Sequence, residues 1–73
     1  MKQKPLSDIR YRIYIADGVT NFYLHDIIVY EHTEHYFFDA DRRYAMFFRK
    51  WDTAMNYRER MIRAGYHPHI ESF

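Results

Sequence analysis

Cysteine is absent from the chain, which excludes disulfides, thiolate catalysis and cysteine-type zinc sites and leans toward a reducing compartment. Glycine is almost as scarce. With only Gly18 and Gly65 available, neither a phosphate-cradling glycine-rich loop nor a dinucleotide fingerprint can be built. The two serines, Ser7 and Ser72, sit near the ends of the chain, so no nucleophile is framed by a base and a rigid element, and an enzyme is not expected. No stretch approaches the roughly 20 apolar residues of a membrane span, and the opening MKQKPLSDIR lacks the apolar run of a secretory signal. The expectation is a soluble, cytoplasmic protein with no membrane partner.

What is abundant is aromatic surface: 21% of the 73 residues, eight of them tyrosine. A chain of this length forms one domain, 1–73, because half of it would be too short to fold alone. A core this small yields only about 3 to 5 kcal/mol of net stability. With disulfides excluded, self-association or a protein partner is the expected supplement. The net charge of +1 is distributed unevenly. Residues 1–38 carry four bases against five acids, whereas residues 39–73 carry Arg42, Arg43, Arg49, Lys50, Arg58, Arg60 and Arg63 against five acids.

Residues 1–8 read as a polar tail. From Arg10, RYRIYIA alternates with period two and predicts a strand with Tyr11, Ile13 and Ile15 on one face. Asp17-Gly18 predicts a hairpin. The segment from Val19 to Tyr30 also fits a helix face through Val19, Phe22, Tyr23, Ile27 and Tyr30, but that face omits Leu24 and Ile28, so a strand is preferred. It is long for a strand, which predicts a bulge near His25-Asp26. A turn at His32-Thr33 leads to a third strand, Glu34 to Phe38. Asp39 or Asp41 is placed to cap a helix, and Tyr44, Phe47, Phe48 and Trp51 recur at i, i+3, i+4 and i+7 as its core stripe, continued by Met55 and Ile62. Residues 40–64 thus predict one long helix or two short ones, ended by Gly65 and Pro68; residues 66–73 form an edge strand or a loose tail.

Three constellations invite chemistry. Five histidines with neighbouring Glu31 and Glu34 suggest metal ligands, but His32 and His35 alternate across a strand and HTEH lacks the i, i+4 histidine pair of a zincin helix. No metal and no cofactor are expected. The Asp39-x-Asp41 pair is better explained by capping than by a divalent cation. The basic residues carry most weight: on one continuous helix Arg42, Arg49 and Arg60 fall within about 20° of one another and Arg63 about 60° away. Such a ridge can meet phosphates while sheet tyrosines stack bases; the plainer reading is a solvated helix face.

HYFFDADRRYAMFFRKW, residues 35–51, resembles a pattern in small uncharacterised accessory proteins of tailed bacteriophages, in which an aromatic strand (here Tyr36 to Phe38) runs into an acidic cap (Asp39). A helix then carries a small residue (Ala45), an aromatic (Phe47 or Phe48), a base (Arg49 or Lys50) and a closing Trp51. The resemblance implies a phage-encoded protein of the host cytoplasm and transfers no functional residue.

The sequence therefore predicts an α+β domain: a small antiparallel sheet of about three strands with one long or two short helices on one face. The other face stays uncovered, and its Tyr14, Tyr23 and Phe37 form the candidate protein interface. The expected function is non-enzymatic protein interaction: a phage accessory factor that binds or inhibits a host protein, or a self-associating chain. The alternative is nucleic-acid binding through Arg42, Arg49, Arg60 and Arg63.

Overall fold

The computed structural model describes residues 9–73; the expected tail, 1–8, lies outside the described residues. Four strands and one helix follow in the order β1 (Tyr11–Asp17), β2 (Thr20–Tyr30), β3 (Thr33–Asp39), α1 (Trp51–Arg63) and β4 (His69–Ser72), with a 3-10 turn at Arg42–Tyr44 before the helix. The strands form one antiparallel sheet in the order β3-β2-β1-β4. This is a small α+β fold, with residues 66–73 supplying the edge strand on β1.

The β-branched and aromatic alternation of β1 places Ile13 and, in part, Tyr11 under the helix, as expected. The first hairpin turns at Gly18-Val19, with Asp17 paired to Thr20. Of its two turn residues only Gly18 has a positive φ, +64°, the pattern of a II′ turn that needs glycine at its first central position. In the second hairpin Glu31 and His32 both have positive φ, 51° and 62°, the I′ pattern. That turn therefore lies one residue before the predicted His32-Thr33. The predicted bulge is present: register between β2 and β3 shifts between Leu24 and Asp26.

The bulge has a structural consequence. Beyond Tyr14 and Tyr23 the β1–β2 ladder stops, and residues 46–48 fill the space between the two strands. Met46 N–H donates to the Leu24 carbonyl at 2.9 Å, and Phe48 and Tyr11 exchange two backbone hydrogen bonds of 2.8 Å. His25 Nδ1 lies 2.7 Å from the Tyr44 carbonyl; a carbonyl only accepts, so this contact requires the proton on Nδ1. The predicted helix over 40–64 is therefore corrected to Trp51–Arg63. Backbone groups beside the bulge need partners, and an extended 46–48 supplies them where a helix would satisfy only itself.

The core cluster between helix and sheet is Ile13, Leu24, Phe48, Ala54 and Met61. Of the predicted helix stripe only Phe48 belongs to it. Tyr44, Phe47, Trp51 and Ile62 are exposed, Trp51 at 50%, and the helix instead buries Ala54 and Met61 with Tyr57 packed beside them. Alanine at the contact lets the helix backbone approach the sheet, and Met61 fills the space about two turns further along. The helix ends as predicted: Gly65 has φ +100°, its N–H donates to the Ile62 carbonyl at 3.0 Å and the Tyr66 N–H to the Met61 carbonyl at 3.0 Å, which is a Schellman cap.

Candidate protein-contact face

A 13-residue helix is about 20 Å long, whereas the 11-residue β2 runs about 36 Å. Helix α1 packs on β1 and β4, so the outer part of the β2–β3 hairpin extends past it and the molecule measures 48 × 29 × 18 Å. Tyr66 covers Tyr36 and Phe38 with ring centroids 5.6 and 5.4 Å apart. Beyond that reach, Ile28, Val29 and Tyr30 are 48%, 67% and 63% exposed.

The face away from the helix carries Arg12 and Tyr14 of β1, Tyr23, Ile28 and Tyr30 of β2, His35 and Phe37 of β3, and His69 and Glu71 of β4, by the strand pairings. Tyr14, Tyr23 and Phe37 thus share one face, as the sequence reading requires, but they are not equivalent. Tyr14 packs between Tyr23 at 5.7 Å and His69 at 5.2 Å. Tyr23 is buried, which removes it from the exposed interface. The Arg12 guanidinium explains this: it is paired with Glu71, lies 5.4 Å from the Tyr23 ring centroid and 4.1 Å from that of Phe73, and so roofs the inner half of the face with a satisfied cation. Phe37, 47% exposed, remains open. Directly opposite it on β2 is the exposed Asp26, with Ile28 diagonal to it and, past Ile28, Tyr30, whose ring stands 6.2 Å from His35. Ile28, Tyr30 and Val29 were not singled out in the sequence. Their signal was the apolar run Ile27-Ile28-Val29-Tyr30 at the far end of a long strand; the 13-residue α1 is too short to cover it.

The four arginines of the alternative reading do not align. Arg42 is in the 3-10 turn, Arg49 in the extended stretch before α1, and only Arg60 and Arg63 are helical. Arg49 lies 5.6 Å from the Phe47 ring, while Arg60 donates to Glu34 Oε2 at 3.2 Å and lies 5.0 Å from the Tyr57 ring. The helix break removes the cationic ridge. Binding of generic DNA or RNA is accordingly expected to be weak. A fluorescence anisotropy titration at about 0.15 M salt should show no submicromolar, salt-sensitive affinity, because phosphate-driven binding needs several free cations on one surface.

The acidic pair serves backbone turns. Asp39 Oδ1 accepts the Asp41 N–H at 2.7 Å, and Asp41 Oδ1 accepts the Arg43 N–H at 3.0 Å, capping the 3-10 turn in place of the predicted α-helix. Side-chain and backbone hydrogen bonds from Arg43 hold the Asp41 carboxyl down at about 2. The histidines are dispersed, and among the described residues no three metal-ligating side chains converge. Two open grooves are present, of about 390 Å³ beside α1 and β4, lined by Tyr14, Trp51, Met55, Arg58, His69 and Ile70, and about 290 Å³ near the first hairpin.

On the helix side, Tyr36 donates its hydroxyl to Glu34 Oε1 at 3.1 Å, beside the Glu34–Arg60 contact. Burial, and then the hydrogen bond to the Glu34 carboxylate, push the Tyr36 phenol up to about 12. Since the folded state holds this proton more tightly than the unfolded chain, the contribution to stability is complete below about pH 10 and is lost as pH rises toward 12. Ultraviolet titration of the native chain should show a tyrosine step near pH 12 that is missing from Tyr36→Phe.

Compared with known proteins, the chain matches no family model, no curated protein and no solved structure. Its function must be argued from its own surface. Among the described residues no helix is long and apolar enough to cross a membrane. Of the pattern at 35–51, the aromatic strand is present, but the expected helix is not: Trp51 opens α1 and does not close it.

Proposed function

We propose that this chain is a non-enzymatic protein-interaction module of the cytoplasm whose contact surface is the outer part of the β2–β3 hairpin. The observation that carries the reading is the contiguous exposure of Ile28, Tyr30 and Phe37 on the open sheet face, with Val29 behind them. Two paired strands alone are marginal in water, and an apolar surface on them gains most by being covered. Arg12 and Glu71, on the inner half of the open face, are already paired with each other, which leaves the hairpin as the part with binding free energy to give. For a phage accessory factor that binds or inhibits a host protein, this is the surface that would meet the host.

The test is a pull-down from the source cell with the native chain and with Ile28→Asp/Phe37→Asp, each with and without nuclease. The reading expects protein retained by the native chain, insensitive to nuclease and lost in the variant while circular dichroism shows the variant folded. Recovery that disappears with nuclease, or persists in the folded variant, would refute it.

A further inference from the structure

Among the described residues the outer edge of β3 is unpaired along the whole strand: β2 occupies one side, and β3 ends the sheet. Natural edge strands are commonly guarded by charged side chains, above all lysine, by proline, a bulge or brevity. β3 has no lysine, proline or bulge, and its two acids, Glu34 and Asp39, stand toward its ends, Glu34 already paired with Arg60. The strand is seven residues, TEHYFFD, and the sheet's irregularity is at Leu24/Asp26 of β2 and leaves β3 continuous. We propose that this edge pairs with the same edge of a second copy of the chain, antiparallel about a twofold axis at Tyr36, to give a continuous eight-stranded sheet. The inference rests on the protein-interaction reading and names its partner.

The register is chosen by the residues themselves. Centring on Tyr36, the middle of the strand, pairs all seven residues: Thr33 with Asp39, Glu34 with Phe38, and His35 with Phe37 of the other copy. No like charges meet, and each Thr33 hydroxyl faces a carboxylate. A slip of one residue sets Glu34 opposite Asp39, and a twofold at either acid sets that acid against itself; like charges directly opposite are destabilising. A one-residue slip also turns the partner sheet over. In the proposed register Ile28 and His35, already paired within one chain, are continued across the axis by Phe37 of the second, so the two exposed patches merge on one side. The edge of β4 is a poorer candidate, with four residues against seven.

The experiment has two arms. Light scattering from about one to several hundred micromolar should show a monomer–dimer equilibrium for the native chain and a monomer for folded His35→Lys/Phe37→Lys, which places lysines on the paired edge. Because that variant carries the risk of unfolding, the second arm leaves β3 intact: a nitroxide on Tyr30→Cys, the sole thiol in the chain, measured by pulsed dipolar spectroscopy. Three strand spacings across and six residues along put the two Tyr30 backbones about 25 Å apart. A monomer at all concentrations, a dimer retained in the lysine variant, or a dimer whose labels are far from that separation would overturn the pairing. A monomer that still retains a cellular protein through Ile28 and Phe37 would sink this inference and leave the interaction reading standing; a dimer with the stated separation that retains no other protein supports it.

Discussion

Phe48→Ala is expected to remove most of the stability of the fold, about 3 to 5 kcal/mol, although Phe48 belongs to no regular element. The ring is 6% exposed and packs on Tyr57 with centroids 5.3 Å apart, while its backbone exchanges two hydrogen bonds with Tyr11. Truncation opens a cavity between the helix and the sheet at the point where β1 and β2 have parted. Trp51→Ala, by contrast, removes a ring that is half exposed and makes one edge-on contact with Tyr11 at 5.4 Å; a loss of about 1 kcal/mol is expected from such a pair. Chemical denaturation of both variants checks the order. A larger loss for Trp51 would mean that the aromatic stripe, and not the 46–48 insertion, closes the core.

Leu24→Ala is the second large effect, expected at about 2 to 5 kcal/mol. Leu24 has no exposed surface and lies at the bulge, where its side chain enters the core and its carbonyl accepts from Met46. A core worth about 3 to 5 kcal/mol does not tolerate that loss in the monomer. If the chain self-associates, raising its concentration should recover part of the folded signal, since whatever binds only the native state stabilises it by mass action. Thermal melts of Leu24→Ala at two concentrations read both numbers.

These two residues also mark where the sequence was legible. Period-two alternation identified β1, because a strand with one covered face has to alternate; β2 was legible as a strand because a helix face through Val19 to Tyr30 would leave out Leu24 and Ile28. The bulge was readable from a strand too long to stay regular, with polar His25-Asp26 inside it. The Schellman end was readable because Gly65 is the residue suited to its left-handed position. The start of α1 was not. Tyr44, Phe47, Phe48 and Trp51 have helical spacing, but the spacing cannot report that Tyr11 and Leu24 lack strand partners on one side; that demand arises only once the bulge diverts β2. A long-range backbone requirement overrode a local period. The helix stripe was missed for a related reason: Ala54 and Met61 are less conspicuous than tryptophan, but a close helix–sheet approach selects small and flexible side chains. Of the site, Phe37 was legible from its place on the uncovered face. Tyr23 was not excluded, because the roof over it depends on Arg12, Glu71 and Phe73 meeting across β1 and β4.

The account's central claim is that the chain pairs with a second copy through the edge of the β2–β3 hairpin and not through its arginines. Hydrogen–deuterium exchange of the native protein at about 1 and 200 micromolar tests this directly, because pairing of an open strand edge protects its outward amides. The account predicts slower exchange at the higher concentration in fragments spanning residues 27–38, with the 42–63 segment unchanged. Equal exchange at both concentrations throughout the hairpin, or protection confined to 42–63, would contradict it.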